Sequence, residues 1–143
     1  MRLEPIFDME LDYADGFFVL APYGGTEGAG YGSGGGRVSG ERVAGAVRWS
    51  NHPRRREDGV LVPDAHGVIE TDDGARIVFH LGGYSTAVEG SPTKRGIISP
   101  ATFATDDERY RWLNDVIAVG EGTIDFETLQ LHMSYFAAVN EAT

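Results

Sequence analysis

From Ile6 to Asp12 the chain alternates, with Phe7, Met9 and Leu11 on one side and Asp8, Glu10 and Asp12 on the other. A period of two marks a strand with one buried face. Phe17 to Ala21 (FFVLA) is a second, short apolar strand, ended by Pro22 and the Tyr23-Gly24-Gly25 turn. The stretch Gly28 to Gly40, GAGYGSGGGRVSG, reads as a mobile connection. After it Val43, Gly45, Val47 and Trp49 alternate with Arg42, Ala44, Ala46 and Arg48. A polar loop, Ser50 to Gly59, leads to two strand-like segments, Val60 to Thr71 and Ala75 to Tyr84, joined at TDDG. Ser91 to Lys94 is a turn, Gly96 to Ala104 a further strand, and Thr123 to Phe136 the last.

One segment breaks the period. Thr105 is a good N-cap, Glu108 completes a capping box, and Asp106 and Asp107 suit the positive end of a helix dipole. Tyr110, Leu113 and Ile117 then share one face, which predicts a helix over 105–118 stopped by Gly120 or Gly122. One helix among about eight strands predicts an all-β, closed antiparallel barrel, a design without exposed sheet edges. A chain of 143 residues fits one domain spanning 1–143.

The glycine stretch carries Gly30, Gly32 and Gly35 in G-x-G-x-x-G register. Such a loop holds phosphate only when it opens a helix. Here a strand follows and no Gly-Lys-Ser/Thr is present, so a nucleotide cradle is rejected and no cofactor is expected. The balance of 12 basic against 22 acidic side chains, a net −10, argues against nucleic acid and anionic membranes as partners. No apolar run approaches the ~20 residues that span a bilayer. The acidic, alternating start lacks a signal-peptide pattern and cysteine is absent, so a cytoplasmic location is expected.

The segments LEPIF (3–7), GGRVSGERVAGAV (35–47), PDAHGVIETDDGARI (63–77) and FATDDERYRWLNDVIAVGEG (103–122) together resemble domain-of-unknown-function family 3237. The resemblance implies an antiparallel barrel of allene-oxide-cyclase-like or lipocalin-like shape, often assembled as a homo-oligomer, and supplies no reaction. Where relatives carry Asp-Ala-Arg-Tyr, this chain reads Asp64-Ala65-His66-Gly67, exchanging a fixed cation for an imidazole and vacating the volume of a phenol.

The TDDG turn can be taken further. A three-residue Asp72-Asp73-Gly74 connection with Gly74 left-handed pairs Glu70 with Arg76, Val68 with Val78 and His66 with His80, and sets Asp64 opposite Gly82. The other face carries Ile69, Ile77, Phe79 and Leu81. If the polar face is luminal, Asp64 can orient an imidazole for proton transfer, making His66, His80 and Asp64 the catalytic candidates. If it faces out, these are surface histidines. A metal on the three is a further alternative, disfavoured because no HxH or HxxxH spacing occurs.

Other residues bear on binding. His52 is held extended before Pro53, and with Arg54, Arg55 and Arg56 could gather a carboxylate or phosphate at the barrel mouth; a solvated loop balanced by Glu57 and Asp58 is the bland alternative. Trp49 is either core or a flat wall for an aromatic ligand, and Tyr84 either a hydrogen-bond donor in a pocket or an ordinary strand-end aromatic. Trp112, on a family-like helix that plugs or flanks the barrel, is a further binding candidate. Asn114 suits bracing backbone, and no serine-hydrolase elbow exists. The expected function is a cofactor-independent isomerase, cyclase or non-hydrolytic lyase acting by proton transfer on a small, largely apolar or aromatic molecule. The alternatives are a binding barrel without catalysis and an oligomeric scaffold.

Overall fold

The computed structural model describes residues 1–142. Among them are twelve strands: β1 (Arg2–Asp12), β2 (Phe17–Val19), β3 (Gly28–Ser39), β4 (Gly45–Asn51), β5 (Arg54–Arg55), β6 (Leu61–Val62), β7 (Ala65–Thr71), β8 (Arg76–Leu81), β9 (Tyr84–Ala87), β10 (Lys94–Ala104), β11 (Ala118–Asp125) and β12 (Gln130–Val139). Eight of them close a ring, β1-β12-β11-β10-β8-β7-β4-β3, with β3 returning to β1. All these pairings are antiparallel. The closed barrel expected from the alternation is therefore present.

The alternation also fixes the interior. Met9 and Leu11 of β1, Val47 and Trp49 of β4, Ile69 of β7, Ile77 and Phe79 of β8 and Tyr135 of β12 are buried in one core. Their sequence neighbours face out, because successive side chains of a strand point to opposite faces.

Several sequence expectations change, among them the loop over 50–59, which holds the end of β4 and all of β5. Gly28–Ser39 is a twelve-residue ring strand rather than a loop. It needs glycine because its neighbours press on it. A Cβ at Gly36 would meet the Glu10 carbonyl oxygen, one at Gly34 the Asp12 carbonyl oxygen, and one at Gly32 the rings of Tyr13 and Phe17. The segment 123–136 is not one strand: β11 and β12 form a hairpin turning at Phe126–Leu129, where Leu129 takes φ 58°. The helix is a 3₁₀ helix over Glu108–Asp115, shorter than the expected 105–118. Asp107 caps it by accepting from the Arg109 amide at 2.9 Å. Thr105 instead donates its hydroxyl to the Arg76 carbonyl at 2.7 Å, and Gly120 and Gly122 lie within β11.

The two barrel ends differ. At one end the helix buries Tyr110 and Leu113 in the core. Tyr110 Oη donates to Asp73 in the β7–β8 turn at 2.7 and 2.8 Å. Asn114 braces Thr105, accepting from its amide at 2.9 Å and donating to its carbonyl at 3.0 Å. At the other end the short strands β5, β6 and β9 bridge from β3 to β10 and build a rim around an opening.

Candidate functional site: an apolar lumen with one free phenol donor

The lumen opens at the rim end. Its cavity is walled by Phe17, Trp49, Leu81, Ile97, Phe126 and Met133, among others, and the polar side chains that reach it are those of Tyr13, Asn51, Ser85, Ser99 and Tyr135. Its free volume is about 40 Å³, so a small group fits and a large one needs the rim to part. Among the described residues no carboxylate and no imidazole lines this cavity.

Each polar group has a traceable partner. Tyr135 Oη donates to Ser99 Oγ at 2.9 Å, and the Trp49 indole donates to the Asp12 carbonyl at 2.8 Å. Both donors are spent. Tyr13 differs. The Asp64 amide donates to Asn51 Oδ1 at 3.0 Å, which fixes the amide group, and Asn51 Nδ2 then donates to Tyr13 Oη at 3.0 Å. The Tyr13 oxygen is thereby an acceptor, and its own proton remains free to donate into the cavity. Burial pushes the Tyr13 phenol up to about 12, against a smaller opposing effect of the Asn51 bond, and burial likewise pushes Tyr135 up to about 12. At neutral pH both stay protonated, which suits donation and not base catalysis.

The expected catalytic trio lies elsewhere. The register is the expected one, with His66 opposite His80 and Glu70 opposite Arg76. However, Ile69, Ile77, Phe79 and Leu81 take the inner face, so both imidazoles stand on the outer wall. Side-chain exposures are 57% for His66, 48% for His80 and 54% for Asp64. The luminal alternative for this face does not hold: the more apolar face wins the interior because its burial stabilises the barrel, and the imidazoles remain solvated. Asp64 does hold the pair. His80 Nε2 is 2.9 Å and His66 Nε2 3.3 Å from Asp64 Oδ1, with the imidazole centroids 4.6 Å apart. The hydrogen bond from His80 is the main reason the Asp64 carboxyl lies below its ordinary value. Among the described residues these three could hold a metal, with one ligand atom each inside 4.8 Å.

Of the expected binding residues, Trp49 lines the lumen. His52 stacks on Tyr31 outside it, with centroids 5.4 Å apart, and Arg54 pairs with Glu27 at 3.4 Å. Arg56 is taken by Asp58. Tyr84 is exposed on the outer wall, and Trp112 lies under the Arg42 guanidinium at 3.6 Å. Tyr13 and Asn51 were not singled out by sequence. The signal was available: Met9-Leu11-Tyr13 and Val47-Trp49-Asn51 each continue an inward alternation onto a polar residue.

Comparison with known proteins agrees with this architecture. Residues 1–136 match the family described as "Protein of unknown function (DUF3237)". The chain belongs to this family. No curated protein matches it. Among solved structures, the DUF3237 chain is similar to a β-barrel-like protein from Acinetobacter baumannii AYE, with TM-score 0.82, 21% identity and 96% of each chain covered. It is similar to a protein of unknown function from Clostridium acetobutylicum ATCC 824, with TM-score 0.83, 19% identity, and 97% of this chain and all of that one covered. A structure from Penicillium herquei described as an enzyme has TM-score 0.68 and 24% identity, with 94% of this chain and 93% of that one covered. At these identities the likeness shows the barrel alone. No helix among the described residues of this DUF3237 chain is long and apolar enough to cross a membrane.

Proposed function

We propose that the barrel binds a small, largely apolar carbonyl compound at its open end and assists cofactor-free isomerisation or cyclisation through the Tyr13 phenol. The observation that carries this reading is the free proton on Tyr13, set by Asn51 inside an otherwise apolar cavity. A donor in such surroundings is worth more than in water, because no solvent competes for the developing charge. Aimed at a carbonyl oxygen, it favours the enol or enolate that isomerisation and cyclisation share. No titrating base lines the cavity, so the departing α-proton goes to water or buffer at the mouth. The Penicillium herquei barrel described as an enzyme is compatible with chemistry on this fold.

The second reading, binding without turnover, is favoured by that same lack of a base. Acetophenone and ethylbenzene separate the two. The wild type is expected to bind acetophenone about fivefold more tightly, the worth of roughly one hydrogen bond. It should also speed exchange of the ketone's methyl protons for deuterium in D₂O, followed by NMR. Tyr13→Phe should abolish both. Preference for the ketone without accelerated exchange would leave a binding barrel, and equal affinity for the two compounds would remove Tyr13 from recognition.

A further inference from the structure

We infer that the open end is an acid-recognition site, where Arg95 and Arg55 hold the carboxylate of a ligand whose apolar part lies against Phe17 and Phe126. This rests on the lumen reading above and names the substrate class that the site takes.

Alternation along β10 gives the first argument. Phe103, Ala101, Ser99 and Ile97 are buried on its inner side, and the next position on that side is Arg95. Arg95 thus starts on the inner side of β10, and its guanidinium lines the cleft at the rim beside the lumen. It is held still: Arg95 Nε donates to Ser85 Oγ at 3.1 Å, and one terminal nitrogen donates to the carbonyls of Ser85 at 2.7 Å and Gly59 at 2.9 Å. These partners are neutral. They fix the plane of the group and leave its charge uncompensated.

Charge gives the second argument. The protein carries a net −10, and Arg54 and Arg56, the neighbours of Arg55, are paired with Glu27 and Asp58. Among the described residues neither Arg55 nor Arg95 has a carboxylate partner. Instead they share one cleft, near enough that Arg55, after burial, is a cause of the lowered Arg95 pKa. Two like charges left together in an acidic molecule mark a place where an anion is favourable. The remaining terminal nitrogen of Arg95 keeps its N–H donors, and the planar fork of Arg55 suits a carboxylate.

Shape gives the third. The cleft is also lined by Phe17, Leu61 and Phe126, the same side chains that wall the lumen. The cleft is the roomier of the two, about 350 Å³ against about 40 Å³ for the lumen. The Phe17 and Phe126 rings stack with centroids 5.5 Å apart and form the partition between the two. A ligand lying along this partition presents its apolar body to the rings and its acid to the guanidinium groups.

The test compares 3-phenylpropionate with its methyl ester, by calorimetry or NMR titration. The acid should bind the wild type about tenfold more tightly than the ester at low salt, and added salt should erode that advantage. Arg55→Gln, at an exposed side chain, and Arg95→Gln should each pull the acid toward ester-level affinity. An unchanged urea-denaturation midpoint for Arg55→Gln shows that the barrel is intact. Equal affinity for acid and ester would overturn the acid-recognition site and leave the lumen reading standing. Failure of both compounds to bind would overturn the two together.

Discussion

At the scale of single residues, function turns on which side of a strand a polar group falls. His66 and Tyr13 illustrate the difference. His66 lies opposite His80 in the predicted register, yet both are on the solvated wall. Tyr13 follows directly on a strand of acidic and apolar residues and is buried with its proton free. The register was legible because Glu70–Arg76 and Val68–Val78 are complementary cross-strand pairs. The inward face was legible in principle, since Ile69, Ile77, Phe79 and Leu81 outweigh Val68 and Val78 in apolar area. What sequence could not supply was the partner of Tyr13. That depends on Asn51 in β4, a contact made only after the ring closes. Replacing His66 or His80 with Phe should therefore leave acetophenone binding and exchange unchanged within error, measured as for the wild type. A loss of exchange in either variant would restore the outer pair to the mechanism.

At the scale of elements, β3 shows how a glycine-rich sequence deceives. Twelve residues with six glycines read as a loop, because glycine destabilises a strand when judged alone. Tertiary contact reverses the preference, since the neighbouring backbone approaches too closely for a Cβ. Gly36→Ala would push a methyl into the Glu10 carbonyl at the seam where β3 meets β1. It should cost about 1–3 kcal/mol in chemical denaturation, the usual range for overpacking. Gly96→Ala meets nothing nearer than Val88 Cγ2 at 4.0 Å and should be close to neutral. The helix is tied on differently. The Asp73 carboxyl lies below its ordinary 3.8 because it accepts from Thr71 first and from Tyr110 next. A lowered carboxylate stabilises the fold above its unfolded value, and that contribution is lost as pH falls through the folded one. Tyr110→Phe should thus be less stable than wild type at neutral pH, with the gap narrowing in acid below 3.8, as read by urea denaturation at the two pH values.

At the scale of the whole molecule, the barrel divides labour between its ends. The helix and the β7–β8 turn close one end, and the short rim strands leave the other open beside Tyr13, Arg55 and Arg95. The closed barrel was legible in the chain because period-two segments recur from one terminus to the other. The rim was not. Strands of two to four residues carry no period; β5 and β9 are set by pairing with the ends of β3 and β10, and β6 by pairing with β5 and β9. An open end of this kind also explains why Arg95 escaped notice. Its inward direction follows from Ile97 and Ser99, but its position at a mouth follows from strands that sequence does not announce.

The central claim is that a small carbonyl compound enters this mouth and reaches the Tyr13 phenol. The most direct measurement is the set of intermolecular NOEs from acetophenone to the protein. The account predicts contacts from the ketone to Tyr13, Trp49 and Met133 inside the lumen. NOEs confined to the outer wall around His66 and His80, or none at saturating ketone, would contradict it.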